Sequence, residues 1–183
     1  QDRIEEVDVQ PVGQGGLNFG WDITEGSLCN EPPQGCDTTG LTLPIFEYAH
    51  SGLPPSGCAI SGGQVYRGAA HPEIVGHYFF ADLCSDQVWS VVWDGAGGVS
   101  AVEDWTAVLR PASGWGNLAS IGRDAAGELY FVDIGAGEIH RMTSTGPSPA
   151  GDLVAPVAML AANTPNPFNP RTTVSYTVPS RGT

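Results

Sequence analysis

Apolar residues along this chain rarely keep helical spacing; they come in short runs broken by glycine, proline and aspartate. In GHYFFADLC, five of the seven residues between Gly76 and Cys84 are aromatic or apolar. Residues 87–93, QVWSVVW, repeat this, with Trp89, Val91 and Trp93 on one face of a strand and Val88 and Val92 on the other. A sheet with one wet face alternates apolar with polar residues, so these runs predict strands covered on both sides. Around them the pattern predicts a four-stranded unit over 58–109: strands at 60–67, 77–83 and 87–93, then a more polar outer strand near 99–109. The D-G and G-G pairs of WDGAGG, 93–98, suit the hairpin turn between the last two.

A second unit follows in NLASIGRDAAGELYFVDIGAGEIHRM: strand, D-A-A-G turn, strand, glycine turn, third strand, with no fourth after it. Leu129 and Phe131 oppose Tyr130 and Val132, which again predicts cover on both faces. Upstream, IEEVDV sets Ile4, Glu6 and Asp8 against Glu5, Val7 and Val9, a strand with a polar face. LTLPIFEYAH, 41–50, predicts a strand that lies at an edge or begins after Pro44. Residues 27–42 carry no helix or strand signal, and Trp21 is read as a core anchor. The fold class is all-β.

Composition narrows the function. All seven basic residues are arginine, against twenty Asp and Glu, and a net charge of −13 argues against nucleic acid as a partner. Most of the acids are read as solvated surface. The four cysteines lack CxxC spacing and predict disulfides in an oxidising compartment. Of three pairings, Cys29–Cys36 closes a local loop and Cys58–Cys84 ties neighbouring strands, and these two are preferred. LVAPVAMLAA, 153–162, is too short and proline-broken to span a bilayer, and a start at Gln1 reads as a fragment of a longer protein. His71 and His77 lack HExxH spacing, while His50 reads as a loop histidine bonded to backbone and His140 as a packed or rim residue. No nucleophile elbow, phosphate loop or haem motif occurs.

An ordered set of motifs resembles the glucose/sorbosone dehydrogenase family, in its cysteine-containing branch similar to hedgehog-interacting protein. The pieces are RIEEV (3–7), GLNFGWDITEG (16–26), the 29/36 cysteine pair, LPIFEYAH (43–50), GGQVYRG (62–68) with the strand ending in Cys84, and LASIGRDAAGELYFVDIGAGEIHRM (118–142). The resemblance implies that 1–143 forms the C-terminal blades of a six-bladed β-propeller, secreted or on the cell surface of a bacterium. It implies oxidation of a sugar with pyrroloquinoline quinone (PQQ), and a calcium site made by the Glu6 carboxylate and the Phe19 carbonyl oxygen. The histidine base and the Gly-Pro calcium ligands of that family precede Gln1. Three segments here would face the cofactor: SGLPPSGC (51–58), FADLC (80–84) and LRPASGWGNLAS (109–120). A quinone with three carboxylates needs compensating cations, and Arg110 is the one cation these segments carry. That departure sets an alternative beside the enzyme: a non-catalytic propeller binding a glycan or protein.

After a linker at 144–153, residues 154–183 hold LAANTPNPFNPRTTVSYTVP. This resembles the opening of the Ig-like C-terminal sorting domain of bacterial proteins exported by the type IX route. It implies the secretion machinery as a partner, with 172–179 as the domain's first strand.

Overall fold

The computed structural model describes residues 2–52 and 56–143, together with the backbone of 159–160 and 176–177. The chain divides into two units, Gln1–Ser144 and Thr145–Thr183.

In the first unit the strands run β1 (Ile4–Val7), β2 (Thr24–Glu25), β3 (Leu28–Cys29), β4 (Phe46–Ala49), β5 (Ile60–Val65), β6 (Tyr78–Asp82), β7 (Val88–Trp93) and β8 (Val99–Asp104). A single-turn helix α1 (Thr106–Leu109) then precedes β9 (Leu118–Arg123), β10 (Leu129–Asp133) and β11 (Glu138–Arg141). The strand pairings are antiparallel, and an isolated parallel bridge joins Ala49 to Ser56. They make a β1–β4 ribbon, a four-stranded sheet β5–β6–β7–β8, a three-stranded sheet β9–β10–β11 and a short β2–β3 hairpin.

The four-stranded sheet is the middle layer. Phe79, Ala81 and Val88 on one face pack with Leu118, Ile121, Leu129 and Phe131 of the three-stranded sheet. Phe80, Trp89 and Val91 on the other face pack with Val7 and Tyr48 of the ribbon. Phe79 and Phe80, neighbours on one strand, are both 0% exposed because each faces a different layer. Burying each side chain contributes roughly 2–3 kcal/mol. This is the double cover that the apolar runs predict. At Gly63 the β5–β6 register shifts, and a Cβ there would run into the Phe79 carbonyl, so only glycine allows the two strands to meet.

The structure corrects four expectations. The outer strand stops at Asp104, where the Asp104 carboxylate accepts the Thr106 amide and starts a helical turn through Leu109. Trp105 leaves the strand line because its Nε1 donates to the buried Ser90 Oγ at 2.8 Å. The three-stranded sheet is covered on one face only: Leu129 and Phe131 are buried, Tyr130 and Val132 are half-buried, and Ile139 opposite Val132 is 69% exposed. Trp21 is 61% exposed and anchors no core, since it sits in a turn beyond the ribbon. Residues 27–42, read as strandless, lend Leu28–Cys29 to the hairpin around Gly26. β4 does begin after Pro44.

In the second unit β12 (Met159–Leu160) pairs antiparallel with β13 (Tyr176–Thr177). The rest of the expected strand at 172–179, and the linker, lie outside the described residues.

Candidate functional site

The described residues of the three segments expected to face a cofactor meet at one end of the layers, where β5 and β9 begin and β6 and β10 end. Cys58 and Cys84 form a disulfide across it. The Asn117 side-chain amide donates to the Leu83 carbonyl at 3.1 Å, and the Leu118 amide donates to Asp86 Oδ1 at 3.0 Å. Ser61 Oγ donates to the Leu118 carbonyl at 2.6 Å, closing the seam between the two sheets.

Buried carboxylates hold this end together. Asp82, 0% exposed, accepts the amides of Cys58, Ala59, Cys84 and Ser85 at 2.8–3.0 Å and the Tyr48 hydroxyl at 2.9 Å. Loss of water pushes its carboxyl up, but the Ser85 and Ala59 amides and the Tyr48 hydroxyl outweigh that and hold it below the usual carboxylate range. Tyr48 pays the converse: burial first, then Asp82, push its phenol far above its ordinary value. Gly57 has no room for a Cβ, which would collide with the Asp82 carboxylate. On the neighbouring sheet Asp133 repeats the device, accepting the amides of Gly116, Asn117 and Ala136, which keep it low. Two buried glutamates do the same work elsewhere. Glu128 accepts the Tyr66 hydroxyl and the Ala69 and Ala70 amides. Glu25, 1% exposed, accepts the amides of Asp2, Arg3 and Ile4 and the Arg3 guanidinium. Desolvation of Glu25 is outweighed by those donors, which lower it to about 2. The expectation of solvated acids fails for these four, because each faces amides that a strand end leaves unpaired.

The remaining cysteines also close, as Cys29–Cys36. Among the described residues Cys58, Asp82 and Cys84 are the one group of three metal-type side chains, and the disulfide consumes both sulfurs. Glu6 lies half-buried on β1 opposite Glu47, and Phe19 lies half-buried in the turn before Gly20, whose amide is held by Asn18 Oδ1 at 3.0 Å. Partial burial and then the charge of Glu6 push the neighbouring Asp8 up to about 6, although it keeps an exposed face. PQQ fits poorly. The three segments converge, but their one acid, Asp82, is already committed to amides, as are the neighbouring Asp86 and Asp133, and Arg110 is their one cation.

Each of the four histidines has an acid or hydroxyl neighbour. His50 Nε2 is 2.8 Å from Glu5 Oε1, a carboxylate rather than the expected backbone group, and Glu5 also accepts the Ile60 amide. His77 Nδ1 lies 3.0 Å from Ser90 Oγ, His71 beside Glu73, and His140 against the Trp115 ring and Glu138.

Fold and site thus define a disulfide-bonded, all-β protein of layered antiparallel sheets whose loops converge at one end. Two closed disulfides fit an extracytoplasmic location. Among the described residues no helix is long and apolar enough to cross a membrane. No protein-family profile matches the chain. A curated relative, HIPL1 protein of Arabidopsis thaliana, is 38% identical over 98 residues, 49% of this chain and 14% of the relative. The chain therefore spans about a seventh of the relative it matches. The similarity fits the resemblance drawn from the motifs over that half of the chain.

Proposed function

We propose that residues 1–143 are blades of a secreted propeller of the glucose/sorbosone dehydrogenase kind, whose converging loops bind a glycan or a protein rather than PQQ. The supporting observation is the chemistry of that end: a disulfide, three aspartates engaged by amides, and one arginine across all three segments. A polycarboxylated quinone brought there would lose water and gain a single cation in return. Calcium, held by Glu6 and the Phe19 carbonyl with further oxygens from water or backbone, would act as a structural staple of the first turn. Residues 154–183 would engage the type IX secretion machinery.

The second reading, PQQ-dependent sugar oxidation by the whole protein, is favoured by the meeting of the three segments at one end. A dye-linked oxidation assay of the full-length protein with aldoses, PQQ and calcium separates the two. The binding reading predicts no sugar-dependent dye reduction and no quenching on PQQ addition, and turnover would overturn it. A glycan array probed with the same protein supplies the positive arm.

A further inference from the structure

The opposite end of the layers, where β1, β5 and β7 finish, is built differently. Between the ribbon and the four-stranded sheet lies a cavity of about 630 Å³, and beside it a second of about 280 Å³. Val9, Pro11, Ile45 and Trp93 line both, and the walls of the larger are otherwise mostly aliphatic, with the Tyr78 ring among them. The larger volume falls in the range of small-molecule sites, roughly 300–1,000 Å³.

Two charged side chains of opposite sign line that larger cavity, Asp8 from the end of β1 and Arg67 from just beyond β5. Among the described residues neither makes an ion pair within 4.0 Å, with each other or with any other group. The Arg67 guanidinium passes near Gly76, where a Cβ would stand 3.8 Å from Nη1. The buried acids of this fold accept backbone amides, whereas Asp8 and Arg67, one of each sign, are exposed residues on an apolar wall. The complement of such a wall is an apolar body carrying an ammonium and a carboxylate.

We infer that the cavity around Trp93 is a binding site for a small apolar zwitterion, a short hydrophobic peptide or amino acid whose amine meets Asp8 and whose carboxylate meets Arg67. Its aromatic or aliphatic body lies against Trp93 and Tyr78. Arg67 presents a planar fork suited to a carboxylate, and Asp8 accepts the hydrogens of an ammonium. The site is separate from the converging loops, so it stands or falls independently of the function proposed for them.

The test is calorimetric titration of the 183-residue chain with the dipeptide L-leucyl-L-phenylalanine, alongside its N-acetylated and C-amidated forms. The free dipeptide should saturate one site, and each capped form should bind about tenfold more weakly, the worth of one partly exposed charge-assisted contact. Asp8→Asn should abolish the difference between free and acetylated peptide, and Arg67→Gln the difference between acid and amide. Both side chains sit on the cavity wall outside the packed layers, so a matching thermal transition will show that each variant is folded. No saturation at about 10 mM dipeptide overturns the inference. So does equal affinity of either capped form, or a capping penalty that the variants leave unchanged.

Discussion

The two ends of the layered unit use charge in opposite ways. Where Cys58, Cys84 and Asn117 meet, Asp82, Asp86 and Asp133 all accept backbone amides, and two of the three are buried. Where Trp93 closes the cavity, Asp8 and Arg67 face an apolar wall without ion pairs among the described residues. A carboxylate committed to amides is a structural part: it fixes loops and has no valence left for a ligand. A charge without an ion pair on an apolar wall keeps its hydrogen-bonding capacity for a ligand.

The contrast can be broken most severely at Asp82. Asp82→Ala strands four amides and the Tyr48 hydroxyl in a dry site, and should cost about 4 kcal/mol in urea unfolding. A cost below about 1 kcal/mol would mean that water replaces the carboxylate and that this end is not dry. Next come the disulfides. Replacing Cys58 and Cys84 by serine opens a span of 26 residues, and replacing Cys29 and Cys36 one of 7. Chain entropy predicts losses of about 3.6 and about 2.5 kcal/mol. Equal losses would remove the special standing of the converging end.

Glu25 sharpens the comparison through pH. Its folded carboxyl lies at about 2 against an ordinary 4.5, so its contribution is complete above 4.5 and lost as pH falls toward 2. Glu25→Gln should cost about 2 kcal/mol at neutral pH and remove that part of the acid sensitivity from unfolding curves taken between these values. At the cavity end Arg67→Gln should change stability by less than about 0.5 kcal/mol, because the side chain is exposed and makes no ion pair among the described residues. Ile139→Ser, on the uncovered face of the three-stranded sheet, should be as mild in the isolated chain. A large loss there would reveal that something packs on that face.

Strand positions were legible because a strand buried on both faces must be apolar at consecutive residues, and HYFFADL and VWSVVW are. The same rule misled at Tyr130 and Val132, where consecutive apolar residues meet only one neighbouring layer. The cysteine pairs followed from loop length and strand proximity. The buried acids did not. Asp82 and Asp94 both begin turns and both accept amides two or more residues on, yet one is sealed under Tyr48 and the other lies in solvent. Local sequence sets the turn, but the layer that covers it comes from residues dozens of positions away. Trp21 and Trp89 differ for the same reason, one exposed and the other 3% exposed.

By itself the sequence determined the short-strand character, the order of strands from β5 to β11, and the crossing points of the two disulfides. Those depend on side-chain alternation, turn residues and chain connectivity, all local quantities. Which carboxylates are dry, which sheet face is left bare, and where two opposite charges share an apolar wall were decided by the stacking of layers. Stacking brings together residues such as Asp8 and Arg67 whose proximity no local pattern encodes, because burial is a property of the neighbour and not of the strand.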